Sequence, residues 1–312
     1  MKITNRYQLP EPIVRAVSYD AHGPRHGDIT VTELVKPPQM LQLERMHDHE
    51  LEEDASNRVK MMIGTAVHDY LMSFARGADV LSEERLATEV AGWSVTGRFD
   101  VFDLLTLDGG RLCDYKYTSV WAIIKGRSEW EKQLNLYAEL LRRNGFPVRW
   151  LAVVPLLYDW RKDDAAERED YPPAPAFVHH VPLWDQQRAA DYLCDRVLVH
   201  QEARQHLRWP PCSPQERWER GEAWAVRKHG KKRATALFGP ETARGGGSAE
   251  AEAMAKEIKG RVEHRPGESV RCANYCHVGR ETRLCKQWEL ERAYTAARHA
   301  YTAAREKQAA PA

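Results

Sequence analysis

The chain has 312 residues and a formal charge of +1, from 46 Lys plus Arg against 45 Asp plus Glu. That balance excludes a uniformly basic nucleic-acid-coating protein, so any nucleic-acid surface has to be a local patch. With 43% apolar residues and a mean hydropathy of −0.63, the composition is that of a soluble globular protein rather than a disordered one, and no apolar run approaches the ~20 residues of a membrane span. The first residues lead into polar, Pro-containing sequence, so no signal peptide and a cytoplasmic location are expected, in the host cytoplasm if the protein is viral. Six cysteines are too few for a disulfide scaffold. Three of them crowd into the last fifth of the chain, which points to metal ligation in a reducing compartment.

Residues 1–28 are rich in Pro, Gly and His and read as an irregular start, with 1–50 taken as an N-terminal lead-in. A short helix within 30–47 is broken by Pro37-Pro38. Over 51–75 the spacing of Leu51, Val59, Met62, Ile63, Val67 and Leu71 predicts one helix that stops near Gly77. Strands are predicted over 86–90 and 94–107, then a turn at Asp108-Gly109-Gly110 and a returning strand over 111–118. A helix over 128–144 has a capping box in Ser128 and Glu131, and Gly145 closes it. A buried strand over 148–157, a polar loop from 159, a strand over 177–183 and a helix over 184–206 follow. This order gives an α/β core over 51–157 within a domain of 51–208. Residues 209–288 read as a cysteine-containing, basic extension. Residues 289–312 read as a helical tail with a seven-residue copy from Ala293, too short to carry a coiled coil alone.

Side chains alternate along a strand, so Asp114 and Lys116 share a face. A carboxylate beside an ammonium group can hold a divalent cation and orient or deprotonate a water. Asp100 lies on the partner strand. If the turn centres on residue 107, Asp100 and Asp114 are directly opposite; if it centres on Gly109, they sit two pairs apart and a bulge is needed. His68 lies on the preceding helix, and Gln133 and Tyr137 share one face of the next. Singly, each of these residues has an ordinary structural explanation.

As an ordered set they do not. Gly64-Thr65-Ala66-Val67-His68, Gly97-Arg98-Phe99-Asp100, Asp114-Tyr115-Lys116 and Gln133-Leu134-Asn135-Leu136-Tyr137 together resemble the PD-(D/E)XK nuclease superfamily, and within it the RecB-like exonuclease branch of phage and bacteria. The resemblance spans roughly residues 30–157. It implies a restriction-endonuclease-like αβββαβ core. It also implies a metal-dependent DNA exonuclease acting on ends or single strands in recombination or repair, with partner proteins of those systems. By position, His68, Asp100, Asp114 and the backbone carbonyl of Tyr115 would hold Mg²⁺ or Mn²⁺. Lys116 would position or activate the attacking water, with its proton easier to lose near the cations. Gln133 and Tyr137 would touch the nucleic-acid backbone or orient Lys116, and Glu89 is a weaker candidate for a second cation. An endonuclease of the same superfamily and a non-catalytic metal-cluster DNA-binding protein are the alternatives. No phosphate-binding Gly-x-x-x-x-Gly-Lys-Ser/Thr loop is present, so an ATP-driven motor is not expected.

Cys272, Cys276 and Cys285 form a C-x3-C-x8-C pattern. In some RecB-like nucleases three C-terminal cysteines and one ahead of the core hold a 4Fe–4S cluster. This chain departs from that pattern, because it has no cysteine before Cys113 and shows Pro37-Pro38-Gln39 where the upstream ligand would be. Cys212 is therefore expected as the fourth ligand, with His277 as an alternative that would favour Zn²⁺. The expected role is structural. Cys113, beside Asp114 but on the other face, and Cys194, in the last core helix, read as packed thiols. Finally, Arg227, Lys228, Lys231, Lys232 and Arg233 form a basic run with Trp218 and Trp224 just before it, which suits phosphate contacts and base stacking.

Overall fold

The computed structural model describes residues 1–19, 26–106, 108–126, 128–206, 209–280, 282–293 and 296–297. The heptad copy in the tail lies almost wholly outside the described residues. The chain forms two compact units: residues 1–38 with 52–208, and residues 39–51 with the described residues from 209 on.

The first unit is mixed α/β. Its start is ordered rather than irregular: β1 (Lys2–Thr4) pairs in parallel with β3 (Glu52–Asp54), and α1 (Glu11–Ser18) lies between them in sequence. Next come β2 (Ile29–Thr30) and α2 (Val31–Val35), and then α3 (Pro38–Met46), which from Gln39 on belongs to the second unit. Thr30 and Glu33 cap α2 reciprocally. Pro37 ends α2, and Pro38 opens α3, where its missing N–H is harmless; the Pro-Pro pair separates two helices rather than breaking one. The helix expected over 51–75 is α4 (Ala55–Met72). It starts late because Asp54 accepts from the Ser56 N–H at 3.1 Å as its N-cap while residues 52–54 are drawn into β3.

Two sheets follow. The strands are β4 (Val80–Ser82), β5 (Arg85–Val90), β6 (Trp93–Arg98), β7 (Val101–Thr106) and β8 (Gly109–Thr118). After α5 (Val120–Ile124) and α6 (Ser128–Arg143) come β9 (Val148–Leu157), α7 (Lys162–Glu167), β10 (His179–Val181) and α8 (Gln186–His206). The larger sheet has the order β10-β9-β8-β7-β4, with β8 and β9 parallel and the other neighbours antiparallel; β2, β6 and β5 make a second sheet. The strand expected over 94–107 is thus two strands in different sheets. The break falls at Phe99, buried in the core, and Asp100, whose carboxylate rather than its carbonyl takes the Tyr115 N–H at 2.8 Å.

Helix α6 packs on both sheets and on α8. Its residues 134–141 are all buried. Buried Asn135 is satisfied by the carbonyls of Glu131 and Pro182 and by the Trp184 N–H. Ser128 is the first helical residue rather than the cap, and the Glu131 carboxylate accepts from the Trp184 indole instead of closing a capping box.

In the second unit, β11 (Glu219–Arg220) pairs antiparallel with β15 (Glu268–Ser269), and between them a ββαβ module is inserted. It consists of β12 (Ala223–Lys228), β13 (Ala236–Phe238), α9 (Ser248–Glu257) and β14 (Gly260–Arg265), with sheet order β13-β12-β14. Val226, Ala236, Ala251 and Ala255 form its buried core under α9, ringed by Trp224, Phe238, Met254, Ile258 and Val262. Short helices α10 (Val270–Asn274) and α11 (His277–Arg280) complete the unit.

Candidate active site

The pairings Val101↔Cys113, Phe102↔Leu112 and Asp103↔Arg111 leave Asp100, just ahead of β7, next to the level of Asp114, and its carboxylate accepts the Tyr115 N–H at 2.8 Å. In that register the next pair outward would be Asp100 with Asp114, the directly opposed arrangement. The register shift lies between Asp103 and Thr106, close to the turn, so no bulge intrudes between the two carboxylates.

His68, one face of α4, reaches this hairpin. Its Nε2 lies 3.3 Å from Asp100 Oδ1 and 3.2 Å from Glu83 Oε1. The ligand atoms of His68, Glu83 and Asp100 all fall within 4.8 Å of one another. Hydrogen bonds to Asp100 and then Glu83 outweigh partial burial and push the His68 imidazole up to about 10. A proton thus sits between two carboxylates, where a cation of higher charge would be held more strongly. Glu83 escaped the sequence reading. It lies in the bend after β4 with φ +57°, a left-handed conformation unusual for a glutamate. Its N–H donates to the Asp100 carbonyl at 3.0 Å, and Arg98 Nε lies 3.1 Å from its Oε2. Nothing in the local pattern announces it, because tertiary partners hold the bend. Glu89 lies opposite Ser94 on β5, exposed and outside this group.

Asp114 is only 5% exposed. Lys116 Nζ donates to its Oδ1 at 2.9 Å and lies 2.7 Å from Oδ2. The second approach lacks hydrogen-bond geometry, so Oδ2 is a buried carboxylate oxygen without a hydrogen-bond partner. Burial raises the Asp114 carboxyl to about 6 despite Lys116. For Lys116 burial works downward, but Asp114 and Asp100 more than offset it and hold the ammonium above its usual range. Without a cation Lys116 is therefore a firm proton donor.

Tyr137 is buried on α6 and hydrogen-bonded to Gln133; burial raises its phenol, and the Asp114 and Asp100 carboxylates add to the effect. Its ring explains Gly97. A Cβ at that position would stand 2.7 Å from Tyr137 Cε1 and 2.9 Å from Val31 Cγ2. Gly97→Ala is expected to destabilise the first unit by about 1–3 kcal/mol, the range for overpacking a filled site, as read by denaturant unfolding. An unchanged midpoint would show that the ring moves freely.

One imidazole and two carboxylates within reach of one point, with an orphaned carboxylate oxygen on the facing strand, suit an oxygen-preferring divalent cation. A cation on His68 must displace the proton held up to about 10. Below that value, Mn²⁺ affinity is expected to rise about tenfold per pH unit between pH 7 and 9. Calorimetric titration in buffers of different ionisation heat should show about one proton released per Mn²⁺. A flat pH profile would remove His68 from the ligand set.

The second unit brings Cys212, Cys272, Cys276 and Cys285 to one enclosed cavity of about 20 Å³, which Gln39, Met40, Leu43, Gln287 and Trp288 also line. Gln39 bridges it, its Nε2 3.6 Å from Cys285 Sγ and its Oε1 4.0 Å from Cys212 Sγ. Backbone N–H groups of Val278 and Gly279 point at Cys276 Sγ, and those of Gln287 and Trp288 at Cys285 Sγ. Burial raises all four thiols, Cys212 and Cys272 to about 12. Four sulfurs in a dry pocket with amide donors aimed at two of them form a donor set for a thiolate-bound metal or cluster. Among the described residues His277 is not part of the wall. Cys113 is buried on the face opposite Asp114, as expected, whereas Cys194 is half-buried rather than core.

The basic run is split. Arg227 and Lys228 end β12, and Lys231, Lys232 and Arg233 lie in the connection to β13. Arg227 is neutralised by Glu263 at 2.7 Å, which leaves the exposed Lys228, Lys231, Lys232 and Arg233 as the cationic turn. The two tryptophans are engaged inside the unit. Trp224 lies 5.3 Å from the His264 ring, and Trp218 lies 5.2 Å from Tyr275 with Arg271 over its face. Among the described residues no helix is long and apolar enough to cross a membrane.

No protein-family model matches the chain, and no curated protein matches it. Among solved structures, the crystal structure of SSO0001 aligns with a TM-score of 0.43 and 15% identity, covering 61% of this chain and 85% of that one.

Proposed function

We propose that the chain is a divalent-metal-dependent DNA exonuclease of the PD-(D/E)XK superfamily, RecB-like, with a restriction-endonuclease-like core in its first unit and a role in recombination or repair. The observation that carries this reading is the meeting of His68, Glu83 and Asp100 beside the buried Asp114–Lys116 pair on one hairpin. The order α4, β6/β7, β8, α6, β9, with β8 parallel to β9, is the one the motif set calls for.

His68, Glu83 and Asp100 would hold the cation, with Asp114 Oδ2 as the further oxygen. Mg²⁺ or Mn²⁺ there would supply Lewis-acid stabilisation of charge on the phosphate and leaving oxygen. Lys116 donates to, and so orients, the attacking water or a phosphate oxygen. Asp114 fixes its ammonium. Tyr137, anchored to Gln133 and seated on Gly97, keeps α6 in register with the hairpin. Lys228, Lys231, Lys232 and Arg233 suit phosphates sterically free of base readout.

The four thiols of the cysteine pocket are a donor set that would take a 4Fe–4S cluster, with Zn²⁺ as the alternative. Gln39 lines the pocket at the place where the family supplies a cysteine, and Cys212 supplies the fourth thiol.

The test is a cleavage assay on end-labelled linear, circular and single-stranded DNA with Mg²⁺ or Mn²⁺, using protein purified without oxygen and Lys116→Ala alongside. Loss of linear DNA alone, abolished by Lys116→Ala, is the expected result. Cutting of circles would make the enzyme an endonuclease, and no metal-dependent cleavage in any condition would overturn the enzyme reading.

A further inference from the structure

Aromatic and lysine side chains alternate where β8 and β9 end. Tyr117 follows Lys116 on β8 and pairs with Leu156, and the Tyr158 N–H donates to the Thr118 carbonyl at 3.1 Å. The rings of Tyr117 and Tyr158 lie 5.3 Å apart, inclined at 45°. Lys60, two turns ahead of His68 on α4, sits with Nζ 4.6 Å from the Tyr158 ring centre and donates to its hydroxyl at 3.2 Å. Asp159 accepts the Val120 N–H at 2.7 Å and so pins the start of α5 to the end of β9. The next residue, Trp121, is 48% exposed with Lys125 Nζ 5.1 Å from its ring centre, and Tyr158 is 42% exposed.

We propose that Tyr117, Tyr158 and Trp121, with Lys60 and Lys125, form a platform that stacks unpaired bases of a single-stranded nucleic acid and holds its phosphates. The chemistry selects this occupant. Tyr158 and Trp121 are the exposed rings, Tyr117 being half-buried beside Tyr158, and each of the two has an ammonium over one face, 4.6 and 5.1 Å from its centre, which pairs a stacking surface with a phosphate-binding charge. A duplex keeps its bases stacked on each other and presents phosphates alone, so it uses the lysines but not the rings. The position agrees, because the carboxyl ends of parallel strands are where α/β sheets take ligands. Tyr117 adjoins Lys116 along β8, with its side chain on the opposite face of the strand. Delivery of a single-stranded end to Lys116 rests on the nuclease reading above; binding itself does not.

Binding is measured in EDTA, so that no cleavage intervenes, by anisotropy of a labelled 12-nucleotide oligo(dT) and of a labelled blunt hairpin duplex. Tyr158→Ala and Trp121→Ala are each expected to weaken oligo(dT) binding by about 5- to 150-fold, the effect of one lost stack, and duplex binding by less than about twofold. Tyr158→Phe, which keeps the ring, restores oligo(dT) binding. Lys60→Ala lowers the salt slope for oligo(dT) by about 0.7. Thermal melts of each variant confirm folding. Unchanged oligo(dT) binding in both alanine variants, or equal losses on both ligands, overturns the platform. If wild-type protein binds oligo(dT) through these residues yet cleaves nothing with Mg²⁺ or Mn²⁺, the platform stands and the nuclease reading falls. Cleavage with binding indifferent to the rings has the opposite meaning.

Discussion

Asp114→Asn should lower the metal-dependent cleavage rate by at least about a thousandfold, a loss of about 4 kcal/mol of transition-state stabilisation. The replacement keeps the shape and removes the charge. Asp114 Oδ2 would no longer be an anionic ligand, and Lys116 would lose the carboxylate that fixes it at 2.9 Å. Stability should move much less. Burial already lifts the Asp114 carboxyl to about 6, so at neutral pH the folded state strains against the charged form and gains when a neutral amide takes its place. The sign follows from linkage: an acid raised on folding subtracts stability above its folded value. The Lys116 ammonium, held up by the same carboxylate, loses that support, which acts in the opposite direction. A net change below about 2 kcal/mol is expected. Single-turnover cleavage and denaturant unfolding on one preparation read both. An Asn variant within tenfold of wild type would remove Asp114 from the machinery.

The second large effect lies in the cysteine pocket. Cys276→Ala should abolish metal or cluster binding and the cooperative unfolding of the second unit. Around the pocket the core consists of Met40, Leu43, Leu51 and Val278 with Cys276 and Cys285, flanked by Trp209, Leu284 and Trp288. That is a small apolar nucleus. Structural zinc in small domains supplies about 10–16 kcal/mol, more than such a nucleus can replace. Metal content, visible absorbance after anaerobic purification and protease sensitivity of the second unit report the loss. A Cys276→Ala protein with unchanged melting and metal content would make these four thiols ordinary core residues.

Strand alternation was enough to place Asp114 and Lys116 on one face, and the apolar pattern of 128–144 and 148–157 gave α6 and β9 nearly to the residue. Those features are set by local periodicity. The break at Phe99-Asp100 was not legible, because it depends on a side-chain carboxylate replacing a backbone acceptor from another strand. Glu83 enters through the bend after β4, whose left-handed backbone is held by Arg98 and Asp100 rather than by its own sequence. Proximity along the chain also misled. Trp218 and Trp224 precede the basic run, yet both are half-buried and already engaged, Trp218 by Tyr275 and Arg271 and Trp224 by His264. The rings that stand exposed beside lysines, Tyr158 and Trp121, come from segments that carry no basic run at all.

The division of the chain has a consequence for how the protein is made. Gln39, Met40 and Leu43 line a pocket whose sulfurs begin at Cys212. At about 5–20 residues per second, this segment leaves the ribosome tens of seconds before Cys285 does. For that interval its apolar residues have no finished partner, and no metal can yet be captured by all four thiols. Nascent chains stalled before residue 285 are therefore the form of this protein most in need of a chaperone, and metal supply matters at the end of synthesis rather than during it.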